Sequence, residues 1–163
     1  MRFILLVFAV SLTTIVFSQE YNREDSLRGY LNSSRSCYDV TFYDLDIAID
    51  DKEKSIERST NTIYFKALSN FNWFQIDLAA NMEIMFIEFE GNKLEFAREF
   101  DAVYVYFDRQ IERGEQLKIK IWYGGYPREA VNPPWDGGFS WEKDKNNKAW
   151  IGVSCQGLGA SVW

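Results

Sequence analysis

The sequence predicts an all-β domain, an antiparallel β-sandwich or meander, on three observations. Apolar residues from Cys37 onward recur with a period of two. The alternating runs are short and are separated by polar turn residues. Outside the extreme N-terminus, no segment carries the three-to-four spacing of an amphipathic helix. Many short strands joined by short turns pack as antiparallel layers.

The first strand places Thr41, Tyr43, Leu45, Ile47 and Ile49 on one face and Asp44, Asp46 and Asp50 on the other. In the second, Ile63, Phe65 and Ala67 alternate with Thr62, Tyr64 and Lys66. Phe74, Ile76 and Leu78 follow, set against Gln75 and Asp77. Met85, Ile87 and Phe89 then lead through a Gly91-Asn92 turn to Leu94 and Phe96. Val103, Val105 and Phe107 form the next strand, and Gly114 marks the turn into Leu117, Ile119, Ile121 and Tyr123. The expected interior is Leu45, Ile47, Ile63, Phe65, Ile76, Ile87, Val103, Val105, Ile119 and Ile121. Residues 124–138 read as a long loop, because they hold all three prolines and four of the ten glycines. Two last strands, near Phe139–Lys143 and Lys148–Ser154, flank a hairpin turn at Asp144-Lys145-Asn146-Asn147.

The N-terminus reads differently. Arg2 supplies a short basic region, and Phe3 to Phe17 is apolar apart from Ser11, Thr13 and Thr14. Val16 and Ser18 stand three and one positions before a cut at Ser18/Gln19, which is the layout of a secretory signal peptide. The run is too short and too rich in hydroxyls for a bilayer span, which takes roughly 20 apolar residues. The expected divisions are a signal peptide over 1–18, a polar leader over 19–36 and a β-domain over 37–163. The leader is either mobile or a short helical turn. Export after cleavage, to a periplasmic or extracellular destination, follows. The mature part has 163 − 18 = 145 residues, enough for one domain with a core. Losing Arg2 moves the net charge from −6 to −7, with no basic cluster to offset it. Nucleic acid and anionic membrane surfaces are therefore not expected partners.

Histidine is absent, and Cys37 and Cys155 lie 118 positions apart. In an exported chain they are either bonded or two separate thiols. Without histidine and without a close cysteine pair, the chain offers no zinc-ligand set and no H-E-x-x-H signature. No cofactor is expected in this chain. The same absence removes the usual base for a serine or cysteine nucleophile, so Ser154 and Cys155 read as strand residues. Asp44 and Asp46 share a solvated face, and a calcium role is the alternative. Asp144-x-Asn146 opens like a calcium loop but lacks the glycine and the closing glutamate. Asp136 and Glu142 are the remaining carboxylate pair, set apart only by their aromatic surroundings. Those surroundings are unusual: Tyr123, Tyr126, Trp135, Phe139, Trp141, Trp150 and Trp163 crowd the last quarter of the chain. Such a cluster either fills a core, covers a neighbouring domain or stacks on a ligand.

The order of several features resembles the N-terminal domain of the zinc aminopeptidases related to aminopeptidase N. Tyr38-Asp39-Val40 opens the first strand. Ile119-x-Ile121-x-Tyr123-x-Gly125-x-Pro127 closes the strand-rich middle, and a loop leads to Gly138-Phe139. Ser154-Cys155-Gln156 then precedes Gly157-Leu158-Gly159-Ala160. The resemblance covers residues 37–163 and implies a saddle-shaped β-domain packed on a catalytic domain. The zinc, the H-E-x-x-H and G-x-M-E-N segments and the hydrolysis of peptides from their N-terminus would belong to that domain. This chain alone would be inactive. The resemblance implies one site residue here, Gln156, which would help to hold the α-amino group of a peptide substrate. Ser154 stands where the family more often has glutamine, and Ala160-Ser161 where it has a basic residue.

Two other readings stand beside this one: an independent carbohydrate- or peptide-binding β-sandwich, and a purely structural interaction domain. The apolar Val162-Trp163 end favours a fragment that continues into a catalytic domain. N-terminal sequencing of the exported protein is expected to start at or near Gln19. Retention of Met1 on exported material would contradict the signal-peptide reading.

Overall fold

A computed structural model describes residues 21–155. Two short helices, α1 (Arg23–Gly29) and α2 (Ser33–Ser36), precede nine strands. These are β1 (Tyr38–Asp50), β2 (Ser55–Ala67), β3 (Phe71–Asp77), β4 (Met82–Phe89), β5 (Asn92–Glu99), β6 (Ala102–Ile111), β7 (Gln116–Gly125), β8 (Gly138–Lys143) and β9 (Ala149–Ser154). The all-β expectation holds: the first seven strands form one antiparallel sheet in the order β1-β2-β7-β4-β5-β6-β3, and β8 and β9 form a separate hairpin. The sheet curls into a half-barrel.

Pairing registers explain the curl. β4 holds β5 through only three residue pairs, Ile87–Leu94, Glu88–Lys93 and Phe89–Asn92, around a two-residue turn at Glu90-Gly91. The rest of β5, from Glu95 to Glu99, pairs with β6. The turn expected at Gly91-Asn92 therefore falls one residue earlier, because Asn92 already belongs to the β5 ladder. Inside the curl, Phe65 on β2, Phe71 and Phe74 on β3, and Phe107 on β6 lie with ring centroids 5.2–6.5 Å apart. Tyr38 on β1 meets the Phe74 ring edge-on at 4.5 Å, and its hydroxyl donates to the Gln75 carbonyl at 2.6 Å. The two edge strands are thereby joined at one end of the half-barrel.

Eight of the ten expected interior residues are buried; Leu45 and Ile47 are not. Leu45 is 52% exposed and Ile47 half-buried. β1 is an edge strand with register shifts between Val40 and Phe42 and between Asp46 and Ala48. The first inserts an extra residue into β1 and exchanges the faces of the strand, whereas at the second the extra residue belongs to β2. Tyr38 and Val40 thus face the core before the first shift, and Tyr43, Leu45 and Ile47 face the open mouth of the curl after it. A shift between Ile84 and Phe86 acts likewise in β4. Met82 is buried and Ile84 half-buried before it, Ile87 and Phe89 are buried after it, and Met85 is exposed rather than sharing their face.

The leader takes the helical alternative. Asn22 and Asp25 form a reciprocal capping box on α1, with Asn22 Oδ1 accepting from the Asp25 N–H at 2.9 Å. Asn32 Oδ1 caps α2 through the Arg35 N–H at 3.1 Å. Leu27 is buried, and the buried Gln75 side chain donates to its carbonyl at 3.1 Å. Arg23 grips Glu99 at 2.8 and 2.9 Å, and Arg35 pairs with Asp77. These contacts fasten the leader beside β3.

Phe65 is fully buried at the centre of the ring cluster. Phe65→Ala is expected to lower the unfolding free energy by about 3–5 kcal/mol, as large-to-small core truncations do. Reversible denaturant unfolding measures it, and a loss below about 1 kcal/mol would show that the cluster does not organise the core.

Candidate functional site

The site suggested by sequence lies at the β8–β9 hairpin and the loop before it. Asp144 makes the hairpin turn: its Oδ1 accepts from the N–H groups of Asn146 and Lys148, both at 2.8 Å. It acts as a turn residue, as its spacing suggested. The register sets Phe139 opposite Val153, Trp141 opposite Ile151 and Glu142 opposite Trp150. Phe139 is buried and stacks on Trp141 at 5.3 Å. These rings and Ile151 fix the hairpin to the half-barrel. The adjoining backbone also holds it, through Phe139 N–H to the Arg128 carbonyl at 2.7 Å and Ala130 N–H to the Phe139 carbonyl at 2.9 Å. Gly138 permits this approach. Its φ is +135°, and a Cβ there would sit 2.5 Å from the Arg128 carbonyl oxygen.

Trp150 lies on the opposite face of the hairpin and is 66% exposed. Trp135 and Tyr126 in the preceding loop are 77% and 66% exposed. The aromatic cluster therefore divides: Phe139, Trp141 and Tyr123 pack inward, while Tyr126, Trp135 and Trp150 face outward. Single exposed aromatics are ordinary, but three grouped on one loop-and-hairpin unit mark a surface suited to contact. The Tyr123-x-Gly125-x-Pro127 step has a local reason. β7 ends against the start of β4, and a Cβ on Gly125 would lie 2.7 Å from the Asn81 carbonyl oxygen, at a φ of +142°. The Asn81 side chain donates to the Tyr126 carbonyl just beyond.

Asp136 and Glu142 are not brought together by any hydrogen bond or ion pair among the described residues. Asp136 instead organises its own loop, accepting from Asn132 N–H at 2.8 Å and from Val131 N–H. The Asn132 bond above all holds its carboxyl below the usual carboxylate range, which opposes a role as proton donor. Asp44 and Asp46 lie on the outer face of β1, and no group of three or more ligating side chains occurs among the described residues. Cys37 and Cys155 are two separate thiols. Burial pushes the Cys37 thiol up to about 11, and its Sγ donates to the Ser34 carbonyl at 3.4 Å. Cys155 is exposed at the end of β9. Ser154 closes β9 as expected. Gln156 lies outside the described residues.

Sequence reasoning missed a groove of about 460 Å³ at the open mouth of the curl. Tyr43, Leu45 and Ile47 on β1 face Leu78, Ile84 and Tyr123 across it, and Asn61 Oδ1 in its wall is buried without a hydrogen-bond partner. The only trace in the sequence is the aliphatic alternation of β1, which looks like core.

No family model matches the sequence, and no curated protein matches it. Solved structures do. An M1 zinc metallopeptidase from Deinococcus radiodurans, in a variant bound to a Tyr-Ser-Ala substrate, is 20% identical over 71% of this chain and 26% of its own, with a TM-score of 0.54. A further structure of the M1 zinc metallopeptidase from Deinococcus radiodurans matches with the same TM-score. Native LTA4 hydrolase of yeast is 14% identical over 78% of this chain and 20% of its own, with a TM-score of 0.59. The chain thus spans a quarter or less of the yeast enzyme and about a quarter of the bacterial one. Its half-barrel has the fold of the N-terminal β-domain of M1 zinc metallopeptidases.

Proposed function

We propose that this chain is the non-catalytic N-terminal domain of an exported zinc aminopeptidase. It scaffolds the catalytic domain and lends Gln156 to the site that receives the substrate's free amine. The single observation that carries this reading is the fold, which matches the Deinococcus M1 zinc metallopeptidase over 71% of the chain and yeast LTA4 hydrolase over 78%. Two local features support it. β9 forms as expected immediately before Gln156, and Tyr126, Trp135 and Trp150 on the hairpin and the loop before it are exposed for contact. The signal-like residues 1–18 support export.

The catalytic zinc would belong to the partner domain, where it would activate water. This chain has no histidine, so its donor set does not fit that metal and no metal-dependent step falls to it. Its own contribution is binding. The amide oxygen of Gln156 accepts from a substrate ammonium, and a charge-assisted bond of this kind in a partly desolvated site is worth about 1.5–3 kcal/mol.

In the intact aminopeptidase, Gln156→Ala is expected to lower kcat/KM for peptides with a free N-terminus by about one to two orders of magnitude, the rate equivalent of that energy. Steady-state kinetics checks it. Unchanged kinetics with a lowered Tm would make Gln156 a structural residue. Replacing both Trp135 and Trp150 by serine is expected to make this chain alone more soluble and to lower the Tm of the intact enzyme. An unchanged Tm in the intact enzyme would show that the catalytic domain does not cover this face.

A further inference from the structure

The two edges of the seven-stranded sheet are treated differently. β3, at one edge, is flanked by the leader, with Leu27, Arg35 and Asn32 all bonded to its side chains. β1, at the other edge, runs for 13 residues, pairs only with β2, and has no such flank among the described residues. Long bare edges are templates for another strand. Proteins that keep theirs vacant blunt them with charges, above all lysines, with prolines or with bulges. β1 has no lysine or proline; its charged residues are Asp39, Asp44, Asp46 and Asp50, and its own bulge lies before Phe42.

The outer face shows what chemistry is missing. One cross-strand row runs Lys93, Glu88, Lys120, Thr62, Asp44, from β5 through β4, β7 and β2 to β1. Opposite charges are neighbours along it except at Thr62, and it ends on a carboxylate at the free edge. Asp44 and Asp46 have no ion pair or side-chain hydrogen bond among the described residues. A strand laid beside β1 with lysine or arginine at these positions continues the row, whereas a second β1 sets like charges face to face. The inner face asks for the opposite. There Tyr43, Leu45 and Ile47 border the groove of about 460 Å³, so aliphatic side chains from an added strand enter it. Between the two register shifts, Phe42 to Asp46 pair with β2 without interruption, and this regular stretch is the part of the edge fit to be copied.

We propose that the free edge of β1 binds an extended segment of a partner protein, in which basic residues alternate with aliphatic ones, as an eighth strand. Main-chain hydrogen bonds supply the ladder, and the two faces of β1 select the alternation. This assignment stands on β1 alone and does not depend on the aminopeptidase reading.

The probe is an end-blocked, fluorescently labelled octapeptide of four Lys-Val repeats, with the full chain as its receptor. Anisotropy is expected to show saturable binding that weakens with salt, and Asp44→Asn combined with Asp46→Asn is expected to weaken it at least tenfold. The same peptide with Glu in place of Lys is expected not to bind. Two further peptides keep the test independent of the variants' folding: one is N-methylated on every lysine, the other on every valine. Successive N–H groups of a strand point to opposite edges, so one methylated peptide must lose binding and the other keep it. Equal retention or equal loss in the pair would overturn strand addition, as would equal binding of the Glu peptide. A homodimer in sedimentation, dissociated by Leu45→Lys, would give the edge to a second copy and overturn the proposal.

Discussion

The three residue pairs that hold β4 to β5, Ile87–Leu94, Glu88–Lys93 and Phe89–Asn92, are the joint on which the domain turns. Were that ladder to continue, the seven strands would form one open twisted sheet with its aromatics spread along one face. Because β5 leaves β4 and continues with β6, the sheet bends back over itself. Phe65 and Phe74, on strands near opposite ends of the order, then come within 5.4 Å. Arg98, on the departing half of β5, braces the bend by donating to the carbonyls of Met82 and Ala79 at 2.6 and 2.7 Å. These carbonyls lie where β3 hands over to β4, and the Ala79 carbonyl also accepts from the Met82 N–H at 2.8 Å. The bend also leaves one end of the curl open, and the groove follows from it.

Period-two alternation was enough to read the strands, because alternation reports which side of a sheet is dry. It located β6, β7 and the β8–β9 hairpin with nearly the right limits, but caught only the second half of β2, from Thr62. It misplaced Leu45 and Met85 for a shared physical reason. A bulge changes the face of every residue beyond it, and the sequence of a bulged strand looks no different from that of a regular one. Tyr38 and Val40, which face inward on the even positions of β1, were hidden by the odd-numbered set that follows them. The leader escaped the periodicity reading for another reason. α1 is seven residues long and is held by its caps and by one buried leucine, which is too short for a repeat to show.

The candidate site was legible to a different degree. Asp144 and the hairpin could be read from turn chemistry; composition showed the aromatic cluster but not that Trp135 and Trp150 face outward while Trp141 packs inward. Gln156 could not be reached that way: nothing in charge, spacing or periodicity distinguishes it from another glutamine after a strand, and only the resemblance singles it out. Asp136 shows the converse. A carboxylate among aromatics suggests catalysis until its oxygens are found on the backbone of its own loop.

The leader's fastening gives the chain's N-terminal boundary a mechanical meaning. Asn22 caps the helix that delivers Arg23 to Glu99 and Leu27 to Gln75, so only Gln19, Glu20 and Tyr21 separate the expected cleavage point from the first residue the fold requires. Exopeptidase trimming that stops at Tyr21 would leave the clasp whole. Loss of Asn22 and Arg23 would strip the cap and the Glu99 pair together, leaving Leu27, Asn32 and Arg35 as the ties to β3. The front of the leader is thus held by a cap and one ion pair, and its rear by the bonds to β3 that keep that edge covered.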